Sequence, residues 1–327
     1  MNTIRPYRND DPPRLLDLWR RTQKCCEEHL PFIALSANHM QEQILGQPFF
    51  DRRAIMLAFE GREPVGYVHT SLNPLPDGSD FDGTAGTICF LCVDPASKDV
   101  PQTAAALIRA AEDYLLSLGV KTIYGGSPSP SVPFYSAFYG GGEPIGILHS
   151  DEFLIRAFEE QGYSLYQKTV CFHMNLRQYS PVYTPELVGW HADSTVSINE
   201  HPKARSWWEG CTFANGAWFD AIAYFNQTQR PIARLRIRLT YPNMENVFSL
   251  YGNTWLASLM ELRVHPEFLD QNIASFLLEE LLRYLAARNH IVRAAAHAAE
   301  QSLLYTLLKK HAWKEKDNGT VFIKEFA

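Results

Sequence analysis

The chain has 327 residues, more than one hydrophobic core usually organises, so its length favours two domains. Hydrophobic residues make up 46% and charged residues 20%, a composition that excludes a disordered chain. Thirty Lys and Arg against 36 Asp and Glu give a formal net charge of -6. Because no run of like charges stands out, we expect a small molecule or a peptide as partner rather than nucleic acid or a membrane.

The sequence also allows predictions about the location of the protein and about metal binding. It begins without the apolar segment of a signal peptide, and no apolar stretch approaches the roughly 18 residues of a membrane helix. We therefore expect a cytoplasmic protein. No His or Cys spacing predicts a metal site, and we expect buried, reduced thiols at the six cysteines, which are Cys25, Cys26, Cys89, Cys92, Cys171 and Cys211.

The first half reads as alternating strands and helices of an α/β fold with a mixed sheet. Its apolar runs and turn residues predict strands over 3–6, 56–59, 64–70, 87–93, 120–124 and 170–175, and helices from residue 12, over 104–118 and over 151–161. The two strands around the Glu60–Glu63 turn form a hairpin. The order from residue 87 onward is strand, helix, strand, which is a βαβ unit.

The second half repeats this order after a segment, 177–190, that contains two prolines and has no clear period. The predicted elements are helices over 206–212, 273–288 and 300–310, and strands over 218–225, 232–239, 256–264, 291–295 and 320–324. Aligning Val93 with Val264 makes the two series correspond in order and approximate length. We infer an internal duplication, with domains at 1–176 and 191–327 joined by the linker 177–190.

The strand that ends at Val264 runs into a loop, His265–Asn272, and then a long helix. This pattern resembles the acyl-coenzyme A-binding core of GCN5-related N-acetyltransferase (GNAT) proteins, whose fourth strand ends in Val-x-Pro before a glycine-rich loop. A helix amino terminus with free N–H groups binds the pyrophosphate there, and a small residue such as Ala274 lets the backbone approach it. The resemblance implies two tandem GNAT (acyl-CoA N-acyltransferase) folds.

Acetyl-CoA is the cosubstrate that this resemblance implies. The predicted binding residues are Leu262, Val264, Gln271, Asn272, Ile273 and Ala274. The N–H of Val264 would polarise the thioester carbonyl, and the amides from Gln271 to Ala274 would hold the pyrophosphate. Asn272 stands at the family's first glycine, so the loop requires a left-handed asparagine.

Glu261 is the carboxylate inside this strand, where many family members carry an acidic residue. A base is needed because only a neutral amine attacks the thioester, so Glu261 is the predicted catalytic residue. A salt bridge of Glu261 with Arg263 or Arg236 on the same sheet face is the alternative. In the late helix Leu308 occupies the place of the family's tyrosine, and we interpret the nearby Tyr305 as a packing residue rather than an acid.

The first half departs further from the family pattern. Pro101 and Thr103 replace the two small residues of the loop, Lys98 keeps a positive charge, and Phe158 stands at the tyrosine place. Pro101 also removes an N–H donor, so we expect a degenerate, weakly binding domain here. The aromatic segment Pro133–Pro144, which contains Gly140–Gly142, is either structural or part of a substrate site.

Together these features predict an acetyl-CoA-dependent N-acetyltransferase. The second half carries the chemistry, and the amine of a small molecule or peptide attacks the thioester directly in a ternary complex. One alternative is a non-catalytic tandem GNAT protein that binds a ligand or partner. Another is a transferase with a different acyl donor, in the manner of mycothiol synthase or the aminoacyl-transfer-RNA-dependent ligases.

Overall fold

The computed structural model describes residues 3–23, 37–127, 134–135, 146–213, 216–240 and 255–327. Cys25, Cys26 and the Gly140–Gly142 segment with Phe138 and Tyr139 lie outside these residues, so the expectations for them stay predictions.

The described elements include those that the sequence predicts, together with four that it does not predict: the strands Ile147–Leu148 and Ser194–Asn199 and the helices Ala37–Met40 and Pro185–Asp193. The strands are β1 (Thr3–Pro6), β2 (Ile55–Glu60), β3 (Glu63–Pro74), β4 (Phe81–Val93), β5 (Thr122–Gly125), β6 (Ile147–Leu148), β7 (Ser164–Asn175), β8 (Ser194–Asn199), β9 (Ala217–Phe225), β10 (Arg230–Thr240), β11 (Trp255–Val264), β12 (Ile291–Ala299) and β13 (Lys314–Glu325). The helices are α1 (Pro12–Gln23), α2 (Ala37–Met40), α3 (Val100–Ser117), α4 (Glu152–Glu160), α5 (Pro185–Asp193), α6 (Trp207–Phe213), α7 (Ile273–Ala286) and α8 (Leu303–Lys310). A π-helical turn (Gln41–Leu45) and 3-10 turns (Arg52–Ala54, Leu176–Gln178, Pro266–Phe268) complete them.

Capping explains where several elements begin. Helix α3 begins at Val100 rather than at residue 104, because the Asp99 carboxylate accepts a hydrogen bond from the backbone N–H of Gln102 at 3.0 Å. Pro101 fits the first turn, where no N–H is needed for the helix. The segment 177–190 has no clear period in the sequence, yet it contains the start of a helix, since α5 begins at Pro185 under a Thr184 cap and buries Trp190.

All thirteen strands within the described residues belong to one mixed sheet. Along its main path the order is β1-β2-β3-β4-β5-β13-β7-β12-β11-β10-β9-β8, and β6 pairs with β13. Strands β4 and β5 are parallel, as are β11 and β12, and the others pair antiparallel. In the first half α1 packs on one face through Trp19, and α3 packs on the other face through Leu107.

The centre of the sheet is a reciprocal strand exchange. Strand β13, the last of the second half, lies between β5 and β7 of the first half, with Phe322 opposite Gly125. Strand β7, the last of the first half, lies between β13 and β12, with Cys171 opposite His297. Each half therefore lends one strand to the sheet of the other.

The cores show the same exchange. Phe322 of β13 belongs to the first-half core, where its ring stacks on Phe158 at 5.9 Å between centroids. Phe172 of β7 belongs to the second-half core, where its ring makes an edge contact with Tyr305 at 5.8 Å. The lengths predicted for these two strands were too short, because both run on beyond their apolar residues to complete the exchange.

The two halves share one irregularity. In β4 the register shifts so that Cys89 has no partner on β3, since His69 pairs with Phe90 and Thr70 with Ile88. In β11 it shifts at the same distance from the strand end, leaving Met260 as the extra residue. Such a β-bulge bends a strand away from its neighbour. The shared bulge supports the inferred duplication, while the domain limits 1–176 and 191–327 stay a prediction.

The described cysteines are free thiols. Burial raises the pKa of Cys89 and Cys171, and it raises the pKa of Cys92 to about 12. Thiols held in the protonated form are poor nucleophiles and poor metal ligands. None of the described helices has both the length and the apolar character that crossing a membrane requires.

We expect Phe322→Ala to destabilise both halves together. The ring is 3% exposed, and emptying such a site costs about 3–5 kcal/mol. Because β13 joins the two half-sheets, hydrogen exchange followed by mass spectrometry should show faster exchange in β5 and in β12 alike. Leu165→Ala, an exposed position paired with Phe322, is the control and should change the free energy of unfolding by less than about 0.5 kcal/mol. Loss of protection in β5 alone would contradict this coupling.

Candidate active site

The candidate site begins where β11 and β12 separate. Their parallel pairing ends at Leu259 opposite Ala296, yet β11 continues to Val264. The bulge at Met260 lies at this point, so the strands diverge and leave 260–264 without a described strand on that side. A free strand edge offers backbone N–H and C=O groups to a ligand.

The direction of the N–H groups follows from the antiparallel pairing with β10. The N–H of His265 donates to the Ile232 carbonyl at 2.8 Å. Val264 and Ala233, which lie opposite each other, therefore form a non-hydrogen-bonded pair of the antiparallel ladder. The N–H of Val264, and by alternation that of Leu262, therefore faces the free edge. These are the two strand residues that the sequence predicted for cofactor contact.

The amino terminus of α7 lies after this edge in the chain. Asn272 has φ 59° and ψ 12°, which confirms the left-handed conformation predicted for it. No side chain caps the helix, so the N–H groups of its first turn, which include those of Ile273 and Ala274, have no helical acceptor. The loop before it is held by the Trp190 indole, which donates to the Gln271 carbonyl at 2.7 Å.

A positive charge lies beside this terminus. Lys310, in the last turn of α8, donates from Nζ to the Asn272 side-chain oxygen at 2.7 Å. The lysine and the helix dipole both favour an anion at this place. Sequence reasoning missed Lys310, because 38 residues separate the two positions and only the packing of α8 joins them. The Ile273–Ala274 turn and Lys310 together can hold a diphosphate.

Glu261 lies in a network of arginines. Its carboxylate accepts from Arg234 and Arg263, and Arg205 lies 3.5 Å away. The salt bridge with Arg263 that the sequence left open is therefore present. The salt bridge with Arg236 is not formed, although the two residues are opposite each other in the sheet. Glu261 is 31% exposed and is a bound counter-ion as well as a candidate base.

Arg236 binds two other carboxylates instead. Its guanidinium donates to both oxygens of Asp220, at 2.7 and 2.8 Å, and to Glu209 at 2.8 Å. Burial alone would raise the pKa of Glu209, but hydrogen bonds from Arg205 and the charge of Arg236 outweigh it and lower that pKa to about 2. Since Arg236 and Asp220 are both buried, removing either would leave an uncompensated buried charge.

These charged residues line a cleft of about 430 Å³. Arg205, Arg236, Arg263, Glu209 and Glu261 lie along it, and the rings of Trp208 and Trp218 form part of its wall. Because ion pairs between arginines and carboxylates hold these side chains, the cleft is ordered for a polar molecule. Its position beside Met260 and Glu261 puts such a molecule at the free edge of β11.

The first half forms one end of this cleft. Residues 75–78, the turn between β3 and β4, line it together with α6. The Gly78 carbonyl accepts from the Trp208 N–H at 3.2 Å, and a Cβ at Gly78 would lie 2.6 Å from the Ser206 hydroxyl oxygen. With φ +68°, Gly78 also occupies a conformation that L side chains rarely adopt. Both halves are therefore needed to build the cleft.

His297 also lines the cleft. It lies on β12 and is buried, with Nε2 at 2.8 Å from the Cys171 sulfur. The alanine-rich run around it has a helical composition, yet it forms a central strand because β7 and β11 flank it. Tyr305 packs on Phe172, as predicted, and Leu308 is fully buried.

In the first half, the equivalent sheet positions have mainly aromatic side chains instead of charged ones. By register, Tyr67, His69 and Phe90 replace Arg234, Arg236 and Glu261. Phe90 stacks on Tyr67 at 5.1 Å and on Trp19 at 4.8 Å. Burial lowers the pKa of His69 to about 3, so its ring is neutral, and Nδ1 hydrogen-bonds the Tyr135 hydroxyl at 3.0 Å. An aromatic core thus fills the place of the charged cleft.

The helix amino terminus of the first half also differs. The Asp99 carboxylate caps α3, and Glu60 accepts from the Ser97 hydroxyl at 2.7 Å and from the Lys98 N–H at 2.9 Å. Pro101 supplies no N–H to this first turn. The donors that would bind a diphosphate are therefore taken up by the protein's own carboxylates.

Solved structures with this architecture identify the fold. A tandem GNAT protein from the clavulanic acid biosynthesis pathway matches at TM-score 0.64 and 14% identity, over 99% of this chain and 98% of that one. A glucosamine N-acetyltransferase region of a fungal multi-domain β-N-acetylglucosaminidase matches at 0.70 and 14%, over 99% and 38%. A GCN5-related N-acetyltransferase from Sphaerobacter thermophilus matches at 0.64 and 12%, over 99% and 95%.

The fold of this chain is the GNAT fold in its tandem form, as the sequence resemblance implied. No family model matches the sequence, and no curated protein sequence matches it either. Identities of 14% and below establish the fold, while activity and substrate depend on the site itself.

Proposed function

We propose that the second half transfers an acetyl group from acetyl-CoA to the amine of a small molecule or peptide. The observation that carries the proposal is the uncapped amino terminus of α7, with Lys310 beside it, following a free strand edge that opens on a polar cleft. Acetyl-CoA supplies the activated acyl group, and the fold neighbours, which are described as acetyltransferases, support that choice.

Some groups of the chain bind the diphosphate of acetyl-CoA, and others orient its thioester. The N–H groups from Asn272 to Ala274, with Lys310, hold the diphosphate. Leu262 and Val264 present their N–H groups along the free edge, where the Val264 N–H polarises a thioester carbonyl and stabilises the negative charge that develops on its oxygen. Gln271 shapes the loop through its side-chain hydrogen bond to the Glu267 carbonyl at 2.8 Å.

Proton removal is the role that we propose for Glu261. A protonated amine has no lone pair for attack, so a group in the cleft must accept its proton before or during attack. Glu261 is in the cleft, at the third position before Val264, and its two oxygens have more acceptor sites than the two hydrogen bonds from Arg234 and Arg263 occupy. The amine attacks the carbonyl carbon, the carbon–sulfur bond breaks, and the coenzyme leaves as the thiol.

A titration with acetyl-CoA tests the binding part of the proposal. We expect one equivalent to bind with a dissociation constant below about 1 mM. Lys310→Met should weaken binding about five- to tenfold, the effect of one charge contact of about 1 kcal/mol. Lys309→Met is the matched control, because the Lys309 amine binds Glu315 and not Asn272. No heat of binding at submillimolar acetyl-CoA would refute the proposal and favour a non-catalytic protein.

Turnover of a panel of amino acids, amino sugars and short peptides, followed by release of the coenzyme A thiol, tests the role of Glu261. We expect Glu261→Gln to lower kcat about 100-fold or more, since a positioned base contributes at least that much, and to leave acetyl-CoA affinity nearly unchanged. Glu267→Gln is the control, because Glu267 pairs with Arg230 outside the cleft. Unchanged kcat in Glu261→Gln would remove this residue from the mechanism.

A further inference from the structure

Two arginines at the cleft share one carboxylate. Arg234 on β10 and Arg263 on β11, here called the arginine pair, are directly opposite each other in the sheet. Side chains in this relation project from the same face, and like charges there repel. Glu261 accepts a hydrogen bond from each guanidinium, so a single negative charge lies between two positive ones. This end of the cleft therefore keeps a positive charge that a second carboxylate would neutralise.

The arginine pair also has N–H donors to offer. Arg263 donates to Glu261 through Nε, and within the described part of the chain its terminal nitrogens make no hydrogen bond. Its side chain is 61% exposed and lines the cleft. Nη1 of Arg234 lies 3.8 Å from an Asp220 oxygen, too far for a hydrogen bond. Because a guanidinium presents its N–H groups as a planar fork, both oxygens of a free carboxylate can accept from it.

The pKa values of the buried arginines point to the same place. Burial lowers the pKa of Arg234, and the charge of Glu261 raises it only in part. Burial acts on Arg236 as well, but the hydrogen bonds and charges of Asp220 and Glu209 leave its pKa raised. An additional anion beside Arg234 would offset the cost of its burial.

The other charged groups that line the cleft bind one another or their own turn. Arg205 and Arg236 both bind Glu209. Asp77 lies at the first-half end and is exposed. Its carboxylate accepts from the Ser79 N–H at 3.0 Å and from the Ser79 hydroxyl at 2.7 Å. The arginine pair is therefore the place in the cleft where charge favours the carboxylate of a ligand.

A ligand bound at the arginine pair meets an anion and an aromatic wall. The carboxylate of Glu261 contacts both arginines and can accept hydrogen bonds from an ammonium group. Trp208, Trp218 and Met260 line the same cleft. An α-amino acid carries its ammonium and its carboxylate on one carbon. Both groups can therefore meet these neighbouring charges while the side chain packs against the apolar wall.

We propose that the acceptor is a free α-amino acid with an apolar side chain. Its carboxylate binds the arginine pair, and its ammonium group binds Glu261. Its side chain packs on the rings of Trp208 and Trp218. This inference rests on the proposed acetyl transfer and narrows its acceptor class, because the amino terminus of a peptide has an amide in place of the carboxylate. Glu261 takes one proton of the ammonium group, the nitrogen forms the amide bond, and a second proton leaves with coenzyme A as the thiol.

Matched pairs of ligands test the role of the carboxylate. L-Phenylalanine and 2-phenylethylamine differ only in the carboxylate, and L-leucine and 3-methylbutylamine form a second such pair. In isothermal titration of the full chain, each amino acid should bind at least about tenfold more tightly than its decarboxylated partner, because it gains charge-assisted hydrogen bonds. L-Phenylalaninamide, which resembles the amino terminus of a peptide, should bind as weakly as 2-phenylethylamine.

A substitution in the arginine pair tests the assignment of the carboxylate site. Arg263→Met should weaken L-phenylalanine binding at least about tenfold and leave 2-phenylethylamine binding unchanged, because only the amino acid uses this guanidinium. Arg263 is exposed, so its variant should keep the fold, which circular dichroism checks. Arg230→Met is the matched control and should leave both affinities unchanged, since Arg230 binds Glu267 outside the cleft.

Several results would overturn the proposal. These are equal binding of the amino acids and their decarboxylated partners, no saturable binding of the amino acids, or equal losses in Arg263→Met and Arg230→Met. Binding of L-phenylalaninamide as tight as that of L-phenylalanine would also overturn it, in favour of a peptide acceptor. Amino acid binding without acetyl-CoA binding would refute the transfer reaction and support the amino acid site, so the two proposals fail separately.

Discussion

The exchange of β7 and β13 at the centre of the sheet is the constraint on which the rest of the structure depends. Each strand completes the half-sheet of the other copy, so Phe322 packs in the first-half core and Phe172 in the second. A half without its partner would expose a sheet edge and lose core residues. The exchange therefore gives a physical reason why each half needs the other, even though carboxylates take up the donors at the start of α3.

Within this shared framework the two copies differ in charge. The bulge and the free strand edge recur at Cys89 and at Met260, because both depend only on backbone register. The side chains around them do not recur. Arginines and carboxylates surround the second edge, whereas the first has an aromatic core on one face and an apolar cavity beside it. The same scaffold thus carries a charged cleft in one half and an apolar cavity in the other, and residues 75–78 of the first half line the charged cleft.

Much of this could be predicted from the sequence. Local patterns gave the order of strands and helices, and the Val264 alignment located the helix amino terminus and the left-handed Asn272. The strand exchange could not be predicted, because it depends on pairing between residues more than 100 positions apart, such as Gly125 and Phe322. The same holds for Lys310 and for the arginines on Glu261, since spacing along the chain carries no information about which charges meet across the sheet. The cap at Asp99 could have been predicted from the sequence, because Asp is a preferred residue immediately before a helix.

We propose that an uncapped helix amino terminus with a lysine beside it makes the second half the diphosphate site, while carboxylates exclude a diphosphate from the first half. A crystal structure of the full chain soaked with coenzyme A tests this claim directly. We expect density for the diphosphate at Asn272–Ala274 within hydrogen-bond distance of Lys310, and none at the start of α3. A diphosphate bound at Asp99–Gln102, or none at the start of α7, would contradict the claim.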